Sequence, residues 1–130
     1  MYKRQEQNKA CLELKKRLET HSEIKKIFHP ENCPNFNSLL TSDGGYGCLF
    51  SFELNGGLNK AKKFYDSLQI SKGPSLGTKF TLVCPYVLLA HYDELAWAES
   101  FGIPSHLIRV SVGLEAVSYT HLTLPTIRSV

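Results

Sequence analysis

The run Leu107-Ile108-Arg109-Val110-Ser111-Val112-Gly113-Leu114-Glu115 alternates apolar and polar residues with period two. Such a run has to lie as a strand with one face on a core, because successive side chains of a strand point to opposite faces. The alternation puts Arg109, Ser111 and Gly113 on one face, and Leu107, Val110 and Val112 on the other. A guanidinium fixed among β-branched neighbours suits a carboxylate, since its planar fork grips both oxygens at once. The plainer alternative is an arginine exposed on the outer face of a sheet, where most charged residues lie.

A chain of 130 residues is one domain at most, and 42% hydrophobic with 21% charged residues describes an ordinary globular protein. No stretch approaches the roughly 18 apolar residues of a membrane span, and the polar N-terminus lacks the apolar core of a signal peptide. The expectation is therefore a cytoplasmic protein without a membrane partner. Cys11, Cys33, Cys48 and Cys84 are scattered, with no Cys-x-x-Cys pair, which argues against a metal site or a disulfide framework. Cys48 and Cys84 lie in apolar runs and read as buried thiols.

The two ends break the local logic. The tail 117–130 has no helix start signal and little pattern, and it resembles translated sequencing-adaptor read-through. Residues 1–5 resemble the matching leader. Both are read as non-native, leaving 6–116 as the native unit, cut at both ends. Lys3, Arg4 and Arg128 account for the formal charge of +3, so the body is neutral and a nucleic-acid partner loses its support.

Within the body, Glu6 to His21 reads as a helix, with Leu12, Leu14 and Leu18 beside Ala10 and Cys11 on its apolar stripe. Glu13 and Arg17 form a favourable i,i+4 pair. Ile24 to His29 reads as a strand, ended by Pro30 and a polar loop through Pro34. Asp43-Gly44-Gly45-Tyr46-Gly47 is either a phosphate loop or a tight strand entry. No helix follows to face an anion with its amides, which favours the second. Cys48 to Leu54 is the strongest strand and reads as central. Leu58 to Leu68 is a basic amphipathic helix with Leu58, Ala61, Phe64, Tyr65 and Leu68 on its stripe. A Gly73-to-Gly77 turn, a strand Phe80 to Cys84 and a short helix Asp93 to Phe101 follow, the helix closed by Gly102 and then Pro104. The order helix, strand, strand, helix, strand, helix, strand predicts an α+β fold, a mostly antiparallel sheet with helices on one side.

Three blocks in this order carry a resemblance. They are Gly47 to Leu54 with the following Gly56-Gly57 and helix, then Ser75-Leu76-Gly77, then Gly102-Ile103-Pro104 leading into Leu107 to Glu115. Together they resemble the C-terminal small domain of the Cys/Met-metabolism enzymes that use pyridoxal phosphate, a family that includes cystathionine γ-synthase and cystathionine γ- and β-lyases. The resemblance implies a fold-type I parent whose large domain, absent here, carries the cofactor and its Schiff-base lysine. It implies that Arg109 binds the substrate carboxylate and that Ser75 and Leu76 line the same site. It implies a small amino-acid substrate, β- or γ-elimination or replacement on sulfur amino acids or O-acylhomoserine, and a homotetramer. The fragment alone is then expected to be inactive, because gripping a carboxylate without the electron sink gives no carbanion stabilisation.

Thr78-Lys79-Phe80 resembles the context of the Schiff-base lysine, but directly after Ser-Leu-Gly it is misplaced, and Lys79 reads as exposed at a strand start. Pro74 stands where several family members carry an acidic residue linked with substrate amino groups. His91 roughly follows a downstream family histidine and reads as structural. The competing readings are a stand-alone module for small carboxylates and a protein-interaction domain that docks through its sheet.

Overall fold

The computed structural model describes residues 2–114. The expected tail 117–130 lies outside the described residues. The elements are α1 (Tyr2–Glu19), β1 (Ile24–Phe28), α2 (Pro34–Leu39), β2 (Leu49–Leu54), α3 (Gly57–Ser67), β3 (Ser71–Lys72), β4 (Leu82–Cys84), α4 (Tyr86–Ala90), α5 (Leu95–Glu99) and β5 (Ile108–Ser111). The strands form one sheet in the order β1-β2-β5-β4-β3. Every neighbouring pair is antiparallel except β3 with β4. The α+β expectation of a mostly antiparallel sheet therefore holds, but the expectation of helices on one side does not, since α1 and α3 pack on one face and α4 and α5 on the other. β5, the last of the described strands in sequence, is the middle strand, with β2 and β4 antiparallel to it on its two sides. β2, expected to be central, is interior but one place from the middle.

One face of the sheet carries the main core. Phe50, Phe52 and Leu54 of β2, Val83 of β4, and Ile108 and Val110 of β5 are buried there with Val112. Two long helices cover them. α1 contributes Cys11, Leu14 and Leu18, and α3 contributes Ala61 and Phe64, followed by Leu68. These positions recur every three or four residues, the spacing that keeps one helix stripe against a sheet. Phe52 and Phe64 meet edge-on at 5.8 Å. Each buried phenylalanine contributes roughly 1.5–3 kcal/mol relative to exposure. Leu58, expected on the α3 stripe, lies in the first turn of α3 and is 46% exposed. Gln7 and Lys15 share the buried face of α1 although both are polar. Lys15 is satisfied by Glu31 at 2.6 Å and Glu19 at 3.2 Å. The Glu13–Arg17 pair forms at 2.9 Å.

The segment read as a polar loop after Pro30 instead winds into a 3-10 turn (Pro30–Asn32) and α2, each opened by a proline in its first turn. There the missing N–H costs nothing. The expected strand from Phe80 starts only at Leu82, and Phe80 is half exposed. The helix expected over Asp93 to Phe101 is a 3-10 turn (Tyr92–Glu94) followed by α5, and the preceding α4 is an addition. Gly102 does close α5, its N–H bonding to the Glu99 carbonyl at 2.9 Å. A second, smaller cluster joins Val87 of α4, Ala98 of α5 and Leu107, with Phe28, Tyr86 and Leu95 against them. Phe28 pairs with Ser51, and Ser51 with Arg109, so this cluster lies on the Arg109 face, opposite the main core.

Candidate functional site

The Arg109 face of the sheet is concave. Phe28, Leu49, Ser51, Leu76, Tyr86, Ile103, Leu107 and Arg109 line a cleft of about 480 Å³. β5 delivers Arg109 to its floor, with Ser51 of β2 on one side and Cys84 of β4 on the other in register. Leu107 belongs on this face too, two residues from Arg109, which corrects the expectation that grouped it with Val110 and Val112. Burial pushes the Cys84 thiol up, and the Arg109 guanidinium opposes that rise.

Arg109 reaches toward the bend after β3. Its Nη2 donates to the Pro74 carbonyl at 2.6 Å and to the Ser75 carbonyl at 3.3 Å. The guanidinium carbon lies 5.3 Å from the Tyr86 ring centroid, a cation–π distance. The carboxylate on the same sheet face, Glu53, is engaged by His106 at 2.8 Å and Lys25 at 3.4 Å. Among the described residues no carboxylate pairs with Arg109, and its Nε and Nη1 have no protein partner. An arginine that lines a cleft with Nε and Nη1 unpaired, and with no carboxylate paired to it among the described residues, keeps N–H donors for a carboxylate, and a two-oxygen grip would also draw Nη2 from its carbonyls.

The bend itself is anchored from three sides. The Gly77 N–H donates to Ser111 Oγ at 2.9 Å, and Ser111 is buried. Gln7 of α1 donates through Nε2 to the carbonyls of Thr78 at 2.9 Å and Val112 at 3.2 Å. At Gly113 a Cβ would sit 2.4 Å from the Lys79 carbonyl oxygen and 2.5 Å from Phe80 C, so only glycine lets β5 lie on this backbone. The Leu114 N–H closes the contact on the Lys79 carbonyl at 2.6 Å.

Of the three residues singled out in the sequence, Arg109 and Leu76 share the cleft. Ser75 meets Arg109 through its carbonyl, and its exposed side chain is not part of the lining. Ser51, Tyr86 and Gln7 carry no expectation from the sequence, whereas Ser111 lies on the Arg109 face as its alternation predicts. The Phe-Ser-Phe alternation of β2 was a usable signal for Ser51, since it sends Ser51 away from the core that Phe50 and Phe52 occupy. Tyr86 and Gln7 depend on contacts remote in sequence and had none.

The family model of Cys/Met metabolism PLP-dependent enzymes matches residues 2–120. The chain belongs to this family. It is 48% identical over 101 residues to the cystathionine gamma-synthase of Neurospora crassa, covering 75% of this chain and 16% of that protein. It is also 48% identical over 98 residues to the cystathionine gamma-synthase of Saccharomyces cerevisiae, covering 71% of this chain and 15% of that protein. The chain thus spans about a sixth of the length of these curated relatives. Among solved structures, cystathionine gamma-lyase from Lactobacillus plantarum complexed with L-serine superposes with a TM-score of 0.83 at 28% identity, over 95% of this chain and 33% of that one. Cystathionine gamma synthase from Xanthomonas oryzae pv. oryzae shares the fold with a TM-score of 0.84 at 22% identity, over 98% of this chain and 34% of that one.

Enzymes of the Cys/Met metabolism family depend on pyridoxal phosphate. The described residues do not by themselves fit that cofactor. No lysine lines the Arg109 cleft, and Arg109 already spends one nitrogen on two carbonyls. Lys79 is exposed as expected and is not part of the lining. The features that do suit a ligand here are those of a carboxylate grip alone. Among the described residues no helix is long and apolar enough to cross a membrane, and no three His, Cys, Asp or Glu residues group as metal ligands.

Proposed function

We propose that residues 6–116 are the substrate-carboxylate-binding C-terminal small domain of a cytoplasmic, homo-oligomeric pyridoxal-phosphate enzyme of the Cys/Met metabolism family. The parent enzyme acts by β- or γ-elimination or replacement on a sulfur amino acid or an O-acylhomoserine. Arg109 grips the α-carboxylate, and the Ser75-Leu76 bend forms the wall beside it. The chain alone is inactive, since the grip orients a substrate but supplies no electron sink.

The observation that carries this reading is the state of Arg109. It is positioned by two carbonyls and an aromatic ring in a cleft with Leu76, with no internal carboxylate to neutralise it among the described residues. Membership of the family supports the reaction class.

The test is Arg109→Ala in the full-length enzyme. Two charge-assisted hydrogen bonds are lost, so kcat/KM should fall roughly 10²- to 10³-fold. Arg109→Lys should recover only part of this, because an ammonium cannot offer the planar fork. An unchanged kcat/KM removes Arg109 from the substrate site. If calorimetry instead shows the 130-residue chain binding amino acids at micromolar concentration without cofactor, a stand-alone carboxylate module is the better description.

A further inference from the structure

Arg109 and Ser111 of β5, and Gly113 just beyond it, meet the same backbone stretch. Arg109 holds the Pro74 and Ser75 carbonyls, Ser111 Oγ accepts the Gly77 N–H, and Gly113 lies against residues 79 and 80. Gln7 adds a hold on the Thr78 carbonyl from α1. Arg4 of α1 also donates to the Gly77 carbonyl at 3.4 Å, so the bend is held by neighbours on both α1 and β5. Gly77 has φ +73°, a conformation that a side chain resists, so this turn is defined by a residue that contributes no packing.

We infer that Ser111 and Gln7 are positioning residues for the carboxylate site, setting the distance between the Ser75-Leu76 bend and Arg109 without touching the substrate. This rests on the carboxylate reading above. Ser111 is 1% exposed and lies two residues from Arg109 on the same sheet face, so its hydroxyl is directed at the bend and not at the cleft mouth. Without Ser111 Oγ, the Gly77 N–H loses its acceptor and the bend can drift. A guanidinium that must both hold the bend and receive a carboxylate then does each less well. The expected signature is weaker substrate binding through the carboxylate alone.

The experiment uses the full-length holoenzyme with Arg109→Ala, Ser111→Ala, Gln7→Ala and the Arg109→Ala/Ser111→Ala pair. The probes are L-cystathionine or O-acetyl-L-homoserine, whichever is turned over, each against its own carboxamide. Ser111→Ala should raise KM for the acid roughly 3- to 10-fold with kcat within about twofold, and leave the carboxamide unaffected. Added to Arg109→Ala it should have no further effect, since coupled positions are not additive. An acid-over-amide preference that drops in Arg109→Ala but not in Ser111→Ala overturns the inference and leaves the carboxylate reading intact. So does an equal loss of kcat for both substrates in Ser111→Ala. If Arg109→Ala itself leaves the preference unchanged, the carboxylate reading fails, and with it this inference. Should Ser111→Ala not fold, Gln7→Ala reads the same bend from α1 with the same split expected. Amide exchange in the unmodified enzyme supplies a check free of mutation: a Gly77 N–H that exchanges as fast as an unprotected amide overturns the latch.

Discussion

Gly113→Ala offers the sharpest test of how β5 seats on the chain. The added Cβ would lie 2.4 Å from the Lys79 carbonyl oxygen, 2.5 Å from Phe80 C and 2.6 Å from Phe80 Cα. All three are backbone atoms, so no side chain can rotate away, and β5 has to lift from residues 79 and 80. Lifting stretches two hydrogen bonds, Leu114 N–H to the Lys79 carbonyl at 2.6 Å and Gly113 N–H to Thr81 Oγ1 at 3.0 Å. Each is worth about 1 kcal/mol, and overpacking of this kind adds about 1–3 kcal/mol. The expected loss is about 3–5 kcal/mol. Gly77→Ala is the comparison, because its Cβ would meet only the far end of Arg4 at 3.3 Å and the cost is backbone strain of about 1–2 kcal/mol. Urea unfolding followed by far-ultraviolet circular dichroism would measure both. If Gly113→Ala costs less than about 1 kcal/mol, or less than Gly77→Ala, the close seating of β5 on residues 79 and 80 is wrong.

His29 is buried and its Nδ1 accepts the Glu31 N–H at 3.0 Å, so the neutral ring is the one that fits. Burial, aided by Lys15, lowers its pKa, and the unfolded chain then binds the proton more readily. Stability from this group should be complete above about pH 6.5 and decline as the pH falls below that toward the lower folded value. Urea midpoints at several pH values should show that decline, and His29→Phe should flatten it; a midpoint independent of pH between 7.5 and 5 refutes it. Among the four free thiols Cys33 is exposed, whereas Cys11 is buried and pushed up to about 12 by burial and Cys48. Cys33 should therefore alkylate first in the native chain at pH 8, and peptide mapping that finds Cys11 labelled first would contradict the packing of α1. In the full-length enzyme Tyr86→Ala should weaken substrate binding a few-fold by freeing the guanidinium it flanks, which a KM comparison reads directly.

The parts legible in the sequence are those governed by short-range periodicity. The period-two run around Arg109, the helix stripe with Leu14 and Leu18, and the glycine stop at Gly102 all express local rules that tertiary packing does not override. The parts that were not legible depend on distant partners. Lys15 is a charged residue on a buried helix face, tolerable because Glu31 from another element joins Glu19 of its own helix. The loop around Pro34 becomes helical because proline opens a helix as readily as it ends one. Gly113 gives no sequence hint of its role, since its φ is ordinary and the demand comes from backbone more than thirty residues away. At the site, Arg109 and Ser111 share one face of an alternating run, whereas the bond of Ser111 to Gly77 and the ring of Tyr86 beside the guanidinium become apparent only in the fold.

β5 fills the slot between β2 and β4, yet among the described strands it comes last in sequence. Until residue 108 emerges, β2 and β4 each present an unmatched hydrogen-bonding edge across a gap one strand wide. A nascent chain at that stage is an acceptor for any extended peptide of suitable pattern. The two open edges make the interval before β5 joins the sheet the one most exposed to wrong pairing.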